Sequence, residues 1–360
     1  MVLLRVLLGL AGATAVLLTV NSALRTVVLP RGVPARLAAL VFGGLRELYE
    51  LRMRRARRYE DRDAIMSTYG PIALFVLLQV WLLVVWAGYT AIYLATGVQF
   101  LGAIRESGSS LLTLGFDRPP GTAEVLVAFT EAGTGLVLLA LLITYLPSLY
   151  TAFSRREAAV TKLSVRAGEP PTGVELIIRA TRLDRGDMLH QVWTSWEEWF
   201  VEVEETHTSF PALTFFRSPQ PDHSWVTAAG AVLDGAALYN STVDAERDID
   251  ADLCLRAGYL ALRRVAAFFG LAYDPDPAPQ DAISISRAEY DEAVQRMRDA
   301  GVPVRADTDA AWRDFAGWRV NYDAVLLSLA TLTMAPYAPW SSDRSAAFRR
   351  PPVFRSGRRR

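Results

Sequence analysis

Between two long apolar runs lies ESGSSLLTLGFDRPP, residues 106–120, a stretch too polar and too rich in Gly and Pro to continue either run. Lipid cannot satisfy free amide and carbonyl groups, so irregular backbone at membrane depth must be buried in protein or line a watery cavity. The preceding residues 98–112, VQFLGAIRESGSSLL, are expected to form a short descending helix. The C-terminal end of its dipole, about half a negative charge, favours a cation there. Residues 113–116, TLGF, would then climb back extended with their carbonyls turned inward. Other candidate chemistry is weaker. The three histidines, His190, His207 and His223, have separations that fit no compact zinc motif. His207 near Ser209, and the run Asp222-His223-Ser224, invite a hydrolase reading, but no G-x-S-x-G elbow accompanies them. No metal site, catalytic set, G-x-G-x-x-G fingerprint or phosphate loop is read, so no enzyme is expected and no cofactor beyond a permeant ion.

The elements that must position this loop are membrane helices. The 360 residues are 51% hydrophobic, and three stretches, at roughly 2–29, 70–96 and 123–150, reach the about 20 apolar residues a bilayer crossing needs. The first could instead be a secretory signal, since NSA ends in small residues. Nine arginines (31, 36, 46, 52, 54, 55, 57, 58 and 62) against five acids separate it from the second span. Short loops with that excess stay cytoplasmic, which favours an uncleaved first helix with its N-terminus outside. Arg155, Arg156, Lys162 and Arg166 follow the third span and give the same orientation. The 38 basic and 38 acidic residues balance, so whole-chain charge identifies no partner and no nucleic-acid binding is expected. The single cysteine, Cys254, excludes an internal disulfide and reads as a small buried hydrophobe.

SSLLTLGFD between two spans resembles the two-transmembrane, pore-loop potassium-channel family of bacteria. In that family the filter reads T-V-G-Y-G-D, and backbone carbonyls and the Thr hydroxyl replace the ion's hydration shell. The resemblance places Thr113, Leu114, Gly115 and Phe116 at the first four filter positions. Asp117 matches the closing acid or stands where the second glycine should be. It also implies a permeant monovalent cation, K+ in the parent family, a homotetramer around one axis, and Ser109 and Ser110 of the pore helix as filter support. The missing glycine normally gives the outermost carbonyl a backbone conformation that other residues disfavour, so the outer ion site is expected to be altered. The segments YLPSLYTAFSRREAAVTKLSVRAGEPP and HTSFPALTFFRSPQPDHSW resemble the cytoplasmic extension of some bacterial members.

Glu131, in FTEAGTGLVLLALL, is an ionisable group inside the third span. It either braces the filter from behind by bonding the pore helix, or sits near the interface bonded to Thr130 or Thr134. Gly133, Gly135 and Pro147 are hinge candidates for gating, with plain helix packing and a helix end as the alternative. No apolar helix carries arginine at every third position, so no voltage sensor is expected. The run RMRRARRYEDRDA reads as a solvated or headgroup-facing helix.

Beyond residue 151 helical periodicity dominates, in the segments 173–185, 187–205, 248–270, 287–301 and 307–333, separated by breaks at 168–173, 217–222 and 273–280. Ser286 with Glu289 has the spacing of a capping box, and Asp307 that of an N-cap. Trp193, Trp196 and Trp199 fall on one broad helical face, and five glutamates (197, 198, 202, 204 and 205) crowd the same segment, which favours packing over a membrane-surface role. The expected fold is all-α: membrane helices with a re-entrant pore loop plus a helical cytoplasmic domain. Its parts are an N-terminal transmembrane helix (1–30), a basic cytoplasmic linker (31–69), a pore domain (70–150), a helical cytoplasmic domain (151–345) and a basic disordered tail (346–360). The seven arginines of residues 343–360, DRSAAFRRPPVFRSGRRR, could touch anionic lipid. The expected function is a potassium-channel-like cation channel in the plasma membrane, multi-pass, with the C-terminal domain cytoplasmic and its partner unspecified. The alternative is a non-conducting membrane scaffold or sensor that keeps the pore fold.

Overall fold

A computed structural model describes residues 2–29, 36–119, 121–183 and 186–344. The basic tail 346–360 and part of the arginine-rich linker therefore lie outside the described residues. All named elements are helical, and among the described residues the only β pairing is an isolated bridge between Val243 and Val304. The chain divides into two compact units. The first holds residues 1–51 and 68–151; the second holds 52–67 and 152–360.

In the first unit, helix α1 (Val2–Val27) lies along α4 (Tyr69–Thr96). Small residues permit that approach: a Cβ on Gly12 would stand 2.3 Å from the Gly88 carbonyl. Ser22 accepts the indole hydrogen of the buried Trp81 at 3.3 Å. Helix α2 (Arg36–Met53) is tied to the start of α4, where Tyr69 donates to the Phe42 carbonyl and meets the Tyr49 ring edge-on. Helix α5 (Phe100–Leu111), about 18 Å long at 1.5 Å per residue, is too short to cross a bilayer. Helix α6 (Thr122–Ala167) runs unbroken through Pro147. Around that proline Thr144, Ser148 and Thr151 bond back to carbonyls of the preceding turn, at 2.9–3.2 Å.

The second unit is built around α9 (Trp225–Thr242), in which every residue but Tyr239 is buried. Against it pack α7 (Gly173–Arg182), α10 (Ile249–Phe268), α12 (Thr308–Arg319) and α13 (Asp323–Thr333), while α8 (Gly186–Ser209) packs on α10. Trp193, Trp196 and Trp199 of α8 are all buried, the last two with ring centroids 4.3 Å apart. Helix α11 (Arg287–Asp299) starts with the capping box of Ser286 and Glu289, and Asp307 caps α12 through the amides of Asp309 and Ala310.

Part of the basic linker, read as a solvated or headgroup-facing helix, is a helix that belongs to this unit. Helix α3 (Tyr59–Ser67) buries Asp63 and Met66. Arg217 joins Asp63 and the Tyr59 hydroxyl to the carbonyls of Thr333 and Met334. A charged helix is thus fastened because its acid and phenol satisfy one guanidinium that also closes the end of α13.

Candidate functional site

The loop residues singled out by type gather at the C-terminal end of α5. Ser109, 3% exposed, accepts the amides of Phe116 (3.1 Å) and Asp117 (3.3 Å) on its hydroxyl, and its carbonyl accepts that of Leu114 at 2.8 Å. The Ser110 carbonyl takes the Thr113 amide at 3.0 Å. The segment therefore folds back over the helix end. Positive φ at Thr113 and Gly115 interrupts the extended climb back expected for residues 113–116. Thr113 has φ 54° and Gly115 φ 67°. Glycine adopts that region freely, whereas threonine is strained there. Asp117 pairs with Arg105 at 3.5 Å. Leu114 and Phe116 are exposed in the single chain.

Behind this loop Glu131 is fully buried and accepts a hydrogen bond from Ser107 of α5 at 2.5 Å; Ser107 also bonds the Trp86 carbonyl. It bonds neither Thr130 nor Thr134, whose hydroxyls turn back to helix carbonyls. The Tyr93 hydroxyl is buried beside Ser110 and Glu131 without a hydrogen bond of good geometry, and one oxygen each of Glu106 and Glu131 is likewise unpartnered. A short helix thus presses a polar, largely dehydrated back against α4 and α6. Gly135 lets it come close: a Cβ there would stand 2.3 Å from the Leu111 carbonyl. Gly133 faces no such contact. The three hinge candidates therefore lie in different surroundings: Gly135 seats the end of α5, Gly133 is open, and Pro147 sits within the continuous α6.

In the second unit the histidines have separate environments. His207 is buried, with Nε2 3.2 Å from Arg156 Nη1 and Nδ1 3.0 Å from the Val203 carbonyl. Arginine only donates, so Nε2 is the acceptor and Nδ1 carries the hydrogen. Burial, then the Arg156 charge, push the imidazole pKa well below its ordinary value. Neutral His207 therefore favours folding, and the unfolded chain takes up the proton first. This stability is complete above the unfolded pKa of about 6.5 and falls by about 1.4 kcal/mol per pH unit below it. His207→Gln is expected to flatten that acid limb, as followed by denaturant unfolding at pH 5–7. Ser224 caps α9 through the Val226 amide. Two histidines stand with carboxylates able to hold a metal: His190 with Asp248 and Asp250, and His223 with Glu169 and Asp222. The sequence sets Asp222 beside His223 and Asp248 near Asp250, but sequence reasoning missed both clusters because the third member of each, Glu169 and His190, comes from a distant segment with no spacing to read.

Three described helices are long and apolar enough to cross a bilayer, which with the helical remainder defines an α-helical membrane protein. Over 193 residues the chain is 27% identical to YdjJ, an uncharacterized membrane protein of Bacillus subtilis (strain 168). The match covers 49% of this chain and 54% of that relative, so the chain spans about half the length of the curated relative it matches. No family model and no solved structure matches.

Proposed function

We propose that this membrane protein is a pore-loop cation channel, in which four copies surround one axis and each supplies residues 113–117 to a degenerate, potassium-channel-like filter. The observation that carries the reading is the short α5, held between two membrane-capable helices and followed by a non-helical segment whose amides are organised by Ser109. An irregular segment so placed is costly in lipid unless it lines water or protein. In this reading residues 97–122 face outside, 151–360 lie in the cytoplasm of a plasma-membrane protein, and K+ is the expected main permeant ion. Glu131 braces the loop from behind through Ser107. The absent second glycine supports the non-conducting scaffold or sensor as the competing reading, because the outer carbonyl ring then lacks its usual turn.

The assembly is tested by native mass measurement in detergent, where four chains are expected and a stable monomer or dimer contradicts the proposal. Glu131→Gln is expected to change open lifetime or ion preference while leaving the tetramer intact. Unchanged single-channel traces would remove the bracing role.

A further inference from the structure

Glu169 lies two residues beyond the end of α6, and Asp222 and His223 lie in the loop before α9; all three belong to the second unit. Their ligand atoms fall within 4.8 Å of one another, with His223 Nε2 3.3 Å from Glu169 Oε1. Both carboxylates are exposed, while the imidazole is buried. Among the described residues neither carboxylate has a Lys or Arg ion pair, so two like charges converge on one neutral-capable ring. Beside His223 is a cavity of about 20 Å³, room for one water, which Ser218 also borders. The Ser218 hydroxyl is buried and has no hydrogen-bond partner.

We propose that Glu169, Asp222 and His223 form a divalent transition-metal site, with zinc the best fit, that fastens the segment following α6 to the loop preceding α9. One imidazole nitrogen and two carboxylate oxygens suit Zn2+ better than Mg2+ or Ca2+, which prefer all-oxygen shells. Ligands at about 2.0–2.2 Å from a tetrahedral zinc lie roughly 3.4 Å apart. The His223–Glu169 pair already has that separation. Asp222, on an exposed loop, reaches it by side-chain rotation, and a water completes the shell. The buried ring supplies the fixed point, and the exposed acids give the ion its entry. The proposal does not depend on the pore reading.

The test uses the full chain in detergent, without a polyhistidine tag, stripped by chelator, in a His190→Gln background that removes the other cluster. Zn2+ is titrated by calorimetry, and Co2+ by its visible absorption. One ion per chain is expected, with binding weakened at least about tenfold by Glu169→Gln and by Asp222→Asn, and lost in His223→Gln. Glu198→Gln, on the exposed side of α8, should leave it unchanged. Because the two acids are exposed, their variants should fold, and thermal unfolding without metal checks this. Absence of saturable binding below millimolar Zn2+, or equal affinity in the Glu169 and Asp222 variants, overturns the site.

Discussion

Arg319→Met is expected to destabilise the second unit by about 3–5 kcal/mol, the cost of removing one member of a buried charge network. Arg319 is fully buried and donates to Asp234 at 2.5 Å, to Asp323 at 2.7 Å and to the Trp340 carbonyl at 2.6 Å. Tyr322 adds a bond to Asp234 at 2.9 Å, and Ser284 bonds Asp323 through both amide and hydroxyl. Burial alone would lower the guanidinium pKa, but the charges of Asp234 and Asp323 outweigh it and raise the value. Taking Arg319 away leaves two carboxylates in the interior with one phenol and one serine between them. Seven of the nine tryptophans lie in this unit, so denaturant unfolding followed by indole fluorescence reads it directly. A loss under about 1 kcal/mol would mean the network is hydrated or replaceable. Asp234→Asn combined with Arg319→Met should recover part of the loss, because the uncompensated charge is then gone.

Gly135→Val is expected to dislodge the end of α5 while leaving the second unit intact. The new Cβ would overlap the Leu111 carbonyl at 2.3 Å, a backbone atom with no flexible end to yield. The turn organised by Ser109 should then open, and residues 113–117 should lose their fixed arrangement. Cys254, the chain's only cysteine, is buried, so a Leu114→Cys variant gives a clean labelling site. Maleimide labelling at position 114 should change severalfold on adding Gly135→Val, with any ion flux lost. Gly133→Val, at a position facing open space, is the control and should do much less.

Much of this architecture is legible in the sequence because apolar length and helical period are strong signals. The membrane helices, α7, α8, α10 and α11, and the caps at Ser286 and Asp307 all follow from pattern and spacing. Helix α9 was not legible: buried almost all round, it has no polar face and so no period to read. The segment 307–333 reads as one helix but breaks at Val320–Tyr322. There Arg263 takes the Asn321 carbonyl at 2.9 Å and its side-chain oxygen at 3.1 Å, a tertiary contact that local periodicity does not encode. At the candidate site, Glu131 against α5 was one of two readings that residue type allowed, and only the fold brings Ser107 to it. The folding-back of Thr113–Phe116 and the clustering of Glu169 with His223 depend on contacts 7 and 54 residues apart, which composition does not carry.

In the proposed channel, residues 113–117 line a cation path with an impaired outer ring. Selectivity between K+ and Na+ depends on the number and field of the coordinating carbonyls, and Asp117 makes the outer turn less readily than glycine. The direct measurement is ion flux into liposomes holding the purified protein, under potassium and then sodium gradients. Flux of both ions is expected, with a weak preference for potassium that shifts further toward potassium when a glycine is inserted between Phe116 and Asp117. A complete absence of cation flux from correctly folded protein, or flux indifferent to substitutions at 113–117, would contradict it.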